Sequence, residues 1–126
     1  MSDPCTFEIP GPPVPKGRPR RSPDGHWYTP KRTTDYEEAV AWAAKAARLE
    51  LVPGVAYGVK IDLYLSTYKR DVDNIAKSLL DGLQRLGDGW NDNQVRDLQV
   101  RSHGVLEARE ERAVVTVYQR PKWATA

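Results

Sequence analysis

Val59, Ile61, Leu63 and Leu65 alternate with Lys60, Asp62, Tyr64 and Ser66. That period-two pattern predicts a strand with one buried face. The period changes a few residues later. Val72, Ile75, Ala76, Leu79, Leu80, Leu83 and Leu86 recur at steps of three and four, and Gly87 follows, so a helix with a continuous apolar stripe and a glycine stop is expected. A first helix is predicted from Thr33 onward. Thr33 or Thr34 can cap it, Glu37 and Glu38 lie in its first turn, and Tyr36, Val40, Ala43, Ala44, Ala47 and Leu51 form its stripe before Pro53-Gly54. Thr6 to Pro10 carries Phe7 and Ile9 on one side, a short strand, and Val95 to Val100 and Arg112 to Arg120 read as two more. The order β-α-β-α-β-β implies an α+β domain in which a mixed sheet carries two main helices. No internal repeat breaks residues 1–126 into parts, so one domain is expected, with a loose tail from Pro121 to Ala126.

Composition narrows the chemistry. With 126 residues, 40% hydrophobic and 29% charged, the chain can form one core and is not expected to be disordered. No apolar run is long enough to span a membrane, and Met1-Ser2-Asp3-Pro4 lacks the features of a signal peptide, so a cytoplasmic location is expected. A lone Cys5 and two histidines, His26 and His103, make a thiolate or imidazole zinc site improbable and leave oxygen donors for any metal.

The net charge of +2 is unevenly spread. Residues 12–32 contain Lys16, Arg18, Arg20, Arg21, Lys31 and Arg32 against a single acid, Asp24. Such a run is often only a solvated loop. Here Pro12, Pro13, Pro15 and Pro19 keep it extended, the arginines match phosphate geometry, and His26, Trp27 and Tyr28 offer stacking surfaces, which favours a polyanionic partner.

The second concentration of chemistry is Asp71-Val72-Asp73-Asn74-Ile75-Ala76-Lys77, at the mouth of the second helix. Residues two apart share a face only in extended chain, so Asp71 and Asp73 converge if the preceding strand runs on to about residue 73. Lys77 then lies one turn from Asp73, and Asp92 arrives from the next turn-rich connection. A carboxylate pair plus a third carboxylate from a separate segment makes the oxygen cage that Mg²⁺ or Mn²⁺ prefers. Each residue also has a plainer role: Asp73 as an N-cap, Asp71 and Asp92 as turn residues, Lys77 as an ion-pair partner of Asp73 and Asp81. A calcium loop starting at Asp71 is excluded, because its sixth and twelfth positions are Ala76 and Gly82 rather than Gly and Glu.

Several stretches resemble, in order and spacing, the RusA family of Holliday-junction resolvases. They are Ile9-Pro10-Gly11-Pro12-Pro13-Val14-Pro15-Lys16-Gly17-Arg18-Pro19-Arg20, Tyr28-Thr29-Pro30-Lys31, the Asp71–Lys77 block and Asn91-Asp92-Asn93-Gln94-Val95. The resemblance covers roughly residues 7 to 119 and implies a small homodimeric, divalent-metal-dependent endodeoxyribonuclease of bacteria or phages. It assigns Asp71, Asp73 and Asp92 to the metal, Mg²⁺ or Mn²⁺, and Lys77 to the active site. Family members often carry two adjacent acids where Asn91-Asp92 stands here, which leaves Asp88 and, more distantly, Asp97 as substitutes for Asp92.

On this reading Lys16, Arg18, Arg20, Arg21, Lys31 and Arg32, with Lys69 and Arg70 beside the acids, contact the backbone of a four-way DNA junction. Two equal active sites in a two-fold dimer would account for symmetric paired cuts in recombination and repair. The competing expectation is a non-catalytic DNA-binding accessory protein of a phage, whose acids serve only as caps and ion-pair partners.

Overall fold

The computed structural model describes residues 3–87 and 90–121. Its strands are β1 (Cys5–Pro10), β2 (Arg20–Arg21), β3 (Trp27–Tyr28), β4 (Tyr57–Leu65), β5 (Val95–Gly104) and β6 (Arg112–Gln119), and its helices are α1 (Lys31–Ala46) and α2 (Val72–Gln84). Short 3-10 turns precede β5 and β6, at Asp92–Gln94 and Ala108–Glu110. The four long strands form one mixed sheet in the order β1-β6-β4-β5, parallel between β4 and β5 and antiparallel elsewhere. The expected α+β class and the order of its main elements are those observed.

Alternation along β4 and β6 sorts the sheet into two faces. Val59, Ile61, Leu63 and Leu65 join Ala113, Val115 and Val117, Phe7 and Ile9 on one side, where Val40 and Ala44 of α1 and Ile75, Leu79 and Leu83 of α2 cover them. The helices cross closely at Gly82, where an added Cβ would lie 2.6 Å from the Val40 Cβ and 3.0 Å from the Glu37 carbonyl oxygen. The opposite face stays polar. There the Arg112 guanidinium sits 3.9 Å from the Tyr64 ring, Tyr64 stacks on His103 at 4.9 Å, and His103 Nε2 pairs with Asp62 at 2.8 Å.

Three features differ from expectation. Helix α1 starts at Lys31 behind Pro30, with no side-chain cap, because Thr33 is buried and its hydroxyl accepts the Gly17 N–H at 3.0 Å. It ends at Ala46 rather than near Leu51: Arg48 takes a left-handed φ of 62° and the Leu49 N–H turns back to the Ala44 carbonyl. The basic arm is not extended throughout, since β2 and β3 form a small hairpin that leaves Trp27 and Tyr28 exposed. The tail beyond Pro121 and the substitute acid Asp88 lie outside the described residues.

Two buried carboxylates lock the arm and the loop ahead of α2. Glu37 accepts Lys16 Nζ at 2.7 Å and Arg85 at 3.1 Å, tying the arm to both helices. Glu111 accepts the Ser66 N–H at 2.7 Å, the Ser66 hydroxyl at 2.6 Å and Arg70 Nη1 at 3.1 Å. Burial pushes the Glu111 carboxyl up, but the Ser66 donors and the Arg70 guanidinium outweigh it and hold it below its ordinary value. A depressed folded-state pKa stabilises the fold above the ordinary glutamate pKa of about 4.3, and that contribution vanishes as the pH falls through the folded value. Chemical denaturation between pH 6 and pH 3 is therefore expected to show a steeper loss of stability in the wild type than in Glu111→Gln.

Candidate active site

The acidic block sits where β4 gives way to α2. β4 ends at Leu65 instead of running on to residue 73, so Asp71 and Asp73 are not neighbours on an extended face. Residues 66–70 form a loop held by Glu111, and Arg70 also donates to the Pro13 carbonyl. The N-cap is Asp71, not Asp73: with φ −82° and ψ 93°, its carboxylate accepts the Asn74 N–H at 3.2 Å and the Asn74 side-chain amide at 2.9 Å. Asn74 thus orients a carboxylate. Asp73 stands exposed in the first turn, where the helix dipole favours a negative charge.

Lys77, one turn further, is exposed and has no ion pair among the described residues. The carboxylate that could have held it, Asp81, is taken by Lys16 at 2.9 Å. The plain salt-bridge role of Lys77 is therefore not what the structure contains, and its ammonium is available beside Asp73.

Asp92 begins the 3-10 turn before β5, and its side chain is exposed. Asn91 caps that turn, and Gln94 fastens it by donating to the Val52 and Val55 carbonyls at 2.9 Å each. Because β4 and β5 run parallel, Asp92 precedes one end of the sheet while Asp71 follows the other. Among the described residues no three His, Cys, Asp or Glu side chains come together closely enough to hold a metal ion. The expected convergence of Asp71, Asp73 and Asp92 does not occur within one chain. Asp97, the more distant substitute, accepts hydrogen bonds from Tyr118 and Arg120, which lower its carboxyl below the usual range, the tyrosine hydroxyl contributing most.

The basic arm lies directly against this helix mouth. The Lys16 N–H donates to the Asn74 carbonyl at 2.9 Å, and Gly17 passes so close to α1 that an added Cβ would fall 2.8 Å from the Thr33 hydroxyl. Of the cations expected to face DNA, Lys16 and Arg70 turn instead into the ion pairs described above, because Glu37 and Glu111 are buried and demand counter-charge. Lys31 pairs with Asp35 at 2.8 Å on the surface. Arg18, Arg20 and Arg32 line an open pocket of about 470 Å³ that is walled by Pro15 and Pro30. Arg21 and Lys69 are exposed nearby in sequence.

The residues that sequence reasoning missed are Glu37 and Glu111. Both look like ordinary surface acids, and no local signal marks either as a buried clamp.

Exposed carboxylates and a lysine without an ion pair among the described residues stand at a helix mouth flanked by an arginine pocket, a surface that suits a phosphate backbone. Residues 10–118 match the family model described as endodeoxyribonuclease RusA, and the chain belongs to the RusA family of endodeoxyribonucleases. It is similar to the crossover junction endodeoxyribonuclease RusA of Aquifex aeolicus (strain VF5), with 31% identity over 117 residues, 86% of this chain and 88% of the relative.

Proposed function

We propose that this chain resolves four-way DNA junctions by paired phosphodiester hydrolysis near the crossover, in a reaction that requires Mg²⁺ or Mn²⁺. The observation that carries the reading is the hydrogen bond between the Lys16 amide and the Asn74 carbonyl, 2.9 Å long, which puts the arginine-rich arm and the Asp71–Lys77 block on one continuous surface. A binding surface alone gains nothing from two exposed aspartates beside its arginines, whereas hydrolysis of a phosphodiester uses them.

The proposed roles follow from placement. Arg18, Arg20 and Arg32 would seat backbone phosphates, with Trp27 and Tyr28 of the hairpin available to unpaired bases near the branch point. Asp71 and Asp73 would supply negative oxygen donors, and Lys77 would set a positive charge beside the phosphate as negative charge grows on its non-bridging oxygens. Asn74 would keep Asp71 fixed. A divalent ion, when bound, would polarise the phosphate and activate water. Among the described residues, a single chain does not gather the three carboxylates expected to hold such an ion.

That same separation favours one competing reading, a junction-binding protein without catalysis. A synthetic four-way junction and a linear duplex, each incubated with the protein in Mg²⁺ and in EDTA, decide between them. Paired nicks at the crossover only with metal are the expected result, and a retarded but uncut junction would establish the binder. In a separate titration, Arg18→Ala, Arg20→Ala and Arg32→Ala are each expected to make the plot of log affinity against log salt shallower, by about 0.9 for every phosphate left without its guanidinium. A slope that stays at the wild-type value would remove that arginine from the interface.

A further inference from the structure

We infer that Lys16 is a positioning residue: it fixes the distance between the phosphate seated among Arg18, Arg20 and Arg32 and the phosphate that is cut, and so selects which bond of the strand is broken. The inference rests on the nuclease reading and concerns a side chain that a charge count alone would assign to DNA. Lys16 holds α2 at two heights. Its amide N–H donates to the Asn74 carbonyl in the first turn at 2.9 Å, and its ammonium reaches Asp81 at 2.9 Å. Those two grips are seven residues apart in sequence, about 10 Å along the helix axis at roughly 1.5 Å per residue. The same ammonium meets Glu37 of α1 at 2.7 Å. One side chain therefore braces the arm against both helices.

The brace stands between the two halves of the site. On one side Gly17 follows directly, with its N–H held by the Thr33 hydroxyl at 3.0 Å, and the arginine pocket opens there. On the other side, the residue gripped by the Lys16 amide is Asn74, whose own N–H and side-chain amide hold the Asp71 carboxylate at 3.2 Å and 2.9 Å. Two residues thus link a phosphate seat to a carboxylate that acts on phosphate. Charge keeps the lysine in place. The Glu37 and Asp81 side chains are only 6% and 23% exposed; Arg85 offsets one of them and Lys16 the other. Burial pulls the Lys16 pKa down, but the hydrogen bonds to Glu37 and Asp81 outweigh it and hold it above the ordinary lysine value, so the group stays charged and donates no proton in the reaction. Spacing then sets the register. Successive phosphates of one strand rise about 3.4 Å along a duplex, so an arm free to slide that far would offer the carboxylates the neighbouring bond. A braced arm offers one bond.

Lys16→Met tests this, because it keeps most of the stem and removes the charge. Junction affinity measured in Ca²⁺ should stay within about twofold of wild type, with an unchanged dependence on salt, since no phosphate loses a partner. Saturated single-turnover cleavage in Mg²⁺ should fall by on the order of 10²-fold, and the remaining cuts should spread to bonds one or two nucleotides from the wild-type position. Lys16→Arg, which can still bond both acids, should restore the single position and most of the rate. A weaker junction complex with a shallower salt dependence would make Lys16 a DNA contact and overturn the inference. A purely structural role predicts a different result, a lower denaturation midpoint with cuts still at the wild-type bond and an unchanged rate per folded molecule, and that too would overturn it. Should Lys16→Met fail to fold, Asp81→Asn removes one anchor of the same brace while leaving Glu37 paired with Lys16 and Arg85. It should scatter the cuts in the same way, and cuts confined to the wild-type bond would refute the brace while leaving the nuclease reading standing. A wild-type chain that cuts no junction in Mg²⁺ would sink both.

Discussion

Asp71→Asn is expected to lower junction cleavage by on the order of 10³-fold, corresponding to about 4 kcal/mol of lost transition-state stabilisation, while leaving junction affinity within about threefold of wild type. The asparagine is the informative substitution because Asp71 has a second duty. It caps α2 by accepting the Asn74 N–H, and asparagine caps a helix about as well as aspartate. Charge is therefore removed without loosening the helix mouth. Asp71→Ala would mix the two effects, adding roughly 1 kcal/mol of lost capping. Asp73→Asn should match the catalytic loss, since that carboxylate is exposed in the first turn and has no structural partner among the described residues that the change would break. Single-turnover cleavage in Mg²⁺ and a gel-shift titration in Ca²⁺ or EDTA separate the two quantities. Cleavage within tenfold of wild type by Asp71→Asn would show that its charge is not used in the chemistry.

Glu111→Ala is expected to be the most destabilising single change near the site, by about 3 kcal/mol. Its side chain is only 3% exposed and satisfies the Ser66 N–H, the Ser66 hydroxyl and Arg70 together. Truncation leaves a guanidinium that is 20% exposed without its carboxylate, together with unpaired donors. The damage should also reach function. Ser66 and Arg70 bracket the loop that leads into Asp71, and Arg70 reaches the Pro13 carbonyl in the arm. Denaturant titration should show a lower midpoint with an unchanged slope, and residual cleavage at a temperature where the variant is folded should fall as well. A stability loss of less than about 1 kcal/mol, the midpoint shift multiplied by the slope, would mean that water replaces the carboxylate there, leaving the loop held by Arg70 and Pro13 alone.

Periodicity predicted β4 and α2 closely because both present one face to a single core, and a buried face imposes its period on the sequence. Predictions weakened wherever the cause was tertiary. Thr33 looks like a cap, yet its hydroxyl serves the arm 16 residues earlier. The end of α1 at Ala46 depends on a left-handed Arg48 that no propensity favours. Lys16 and Arg70 read as DNA contacts because charge runs are visible in sequence, whereas the burial of Glu37 and Glu111, which captures them, is not.

By itself the sequence determined the α+β class, the helix opening at the Asp71–Lys77 block, the basic arm before it, and through its motifs the family. Each of these is a local property, carried by side-chain period or by residues within a few positions of one another. Only the tertiary structure decided which charges remain free and which end of the sheet each aspartate occupies. The parallel pairing of β4 with β5 places Asp92 a sheet's length from Asp71, and strand direction is fixed by long-range packing that no local pattern encodes.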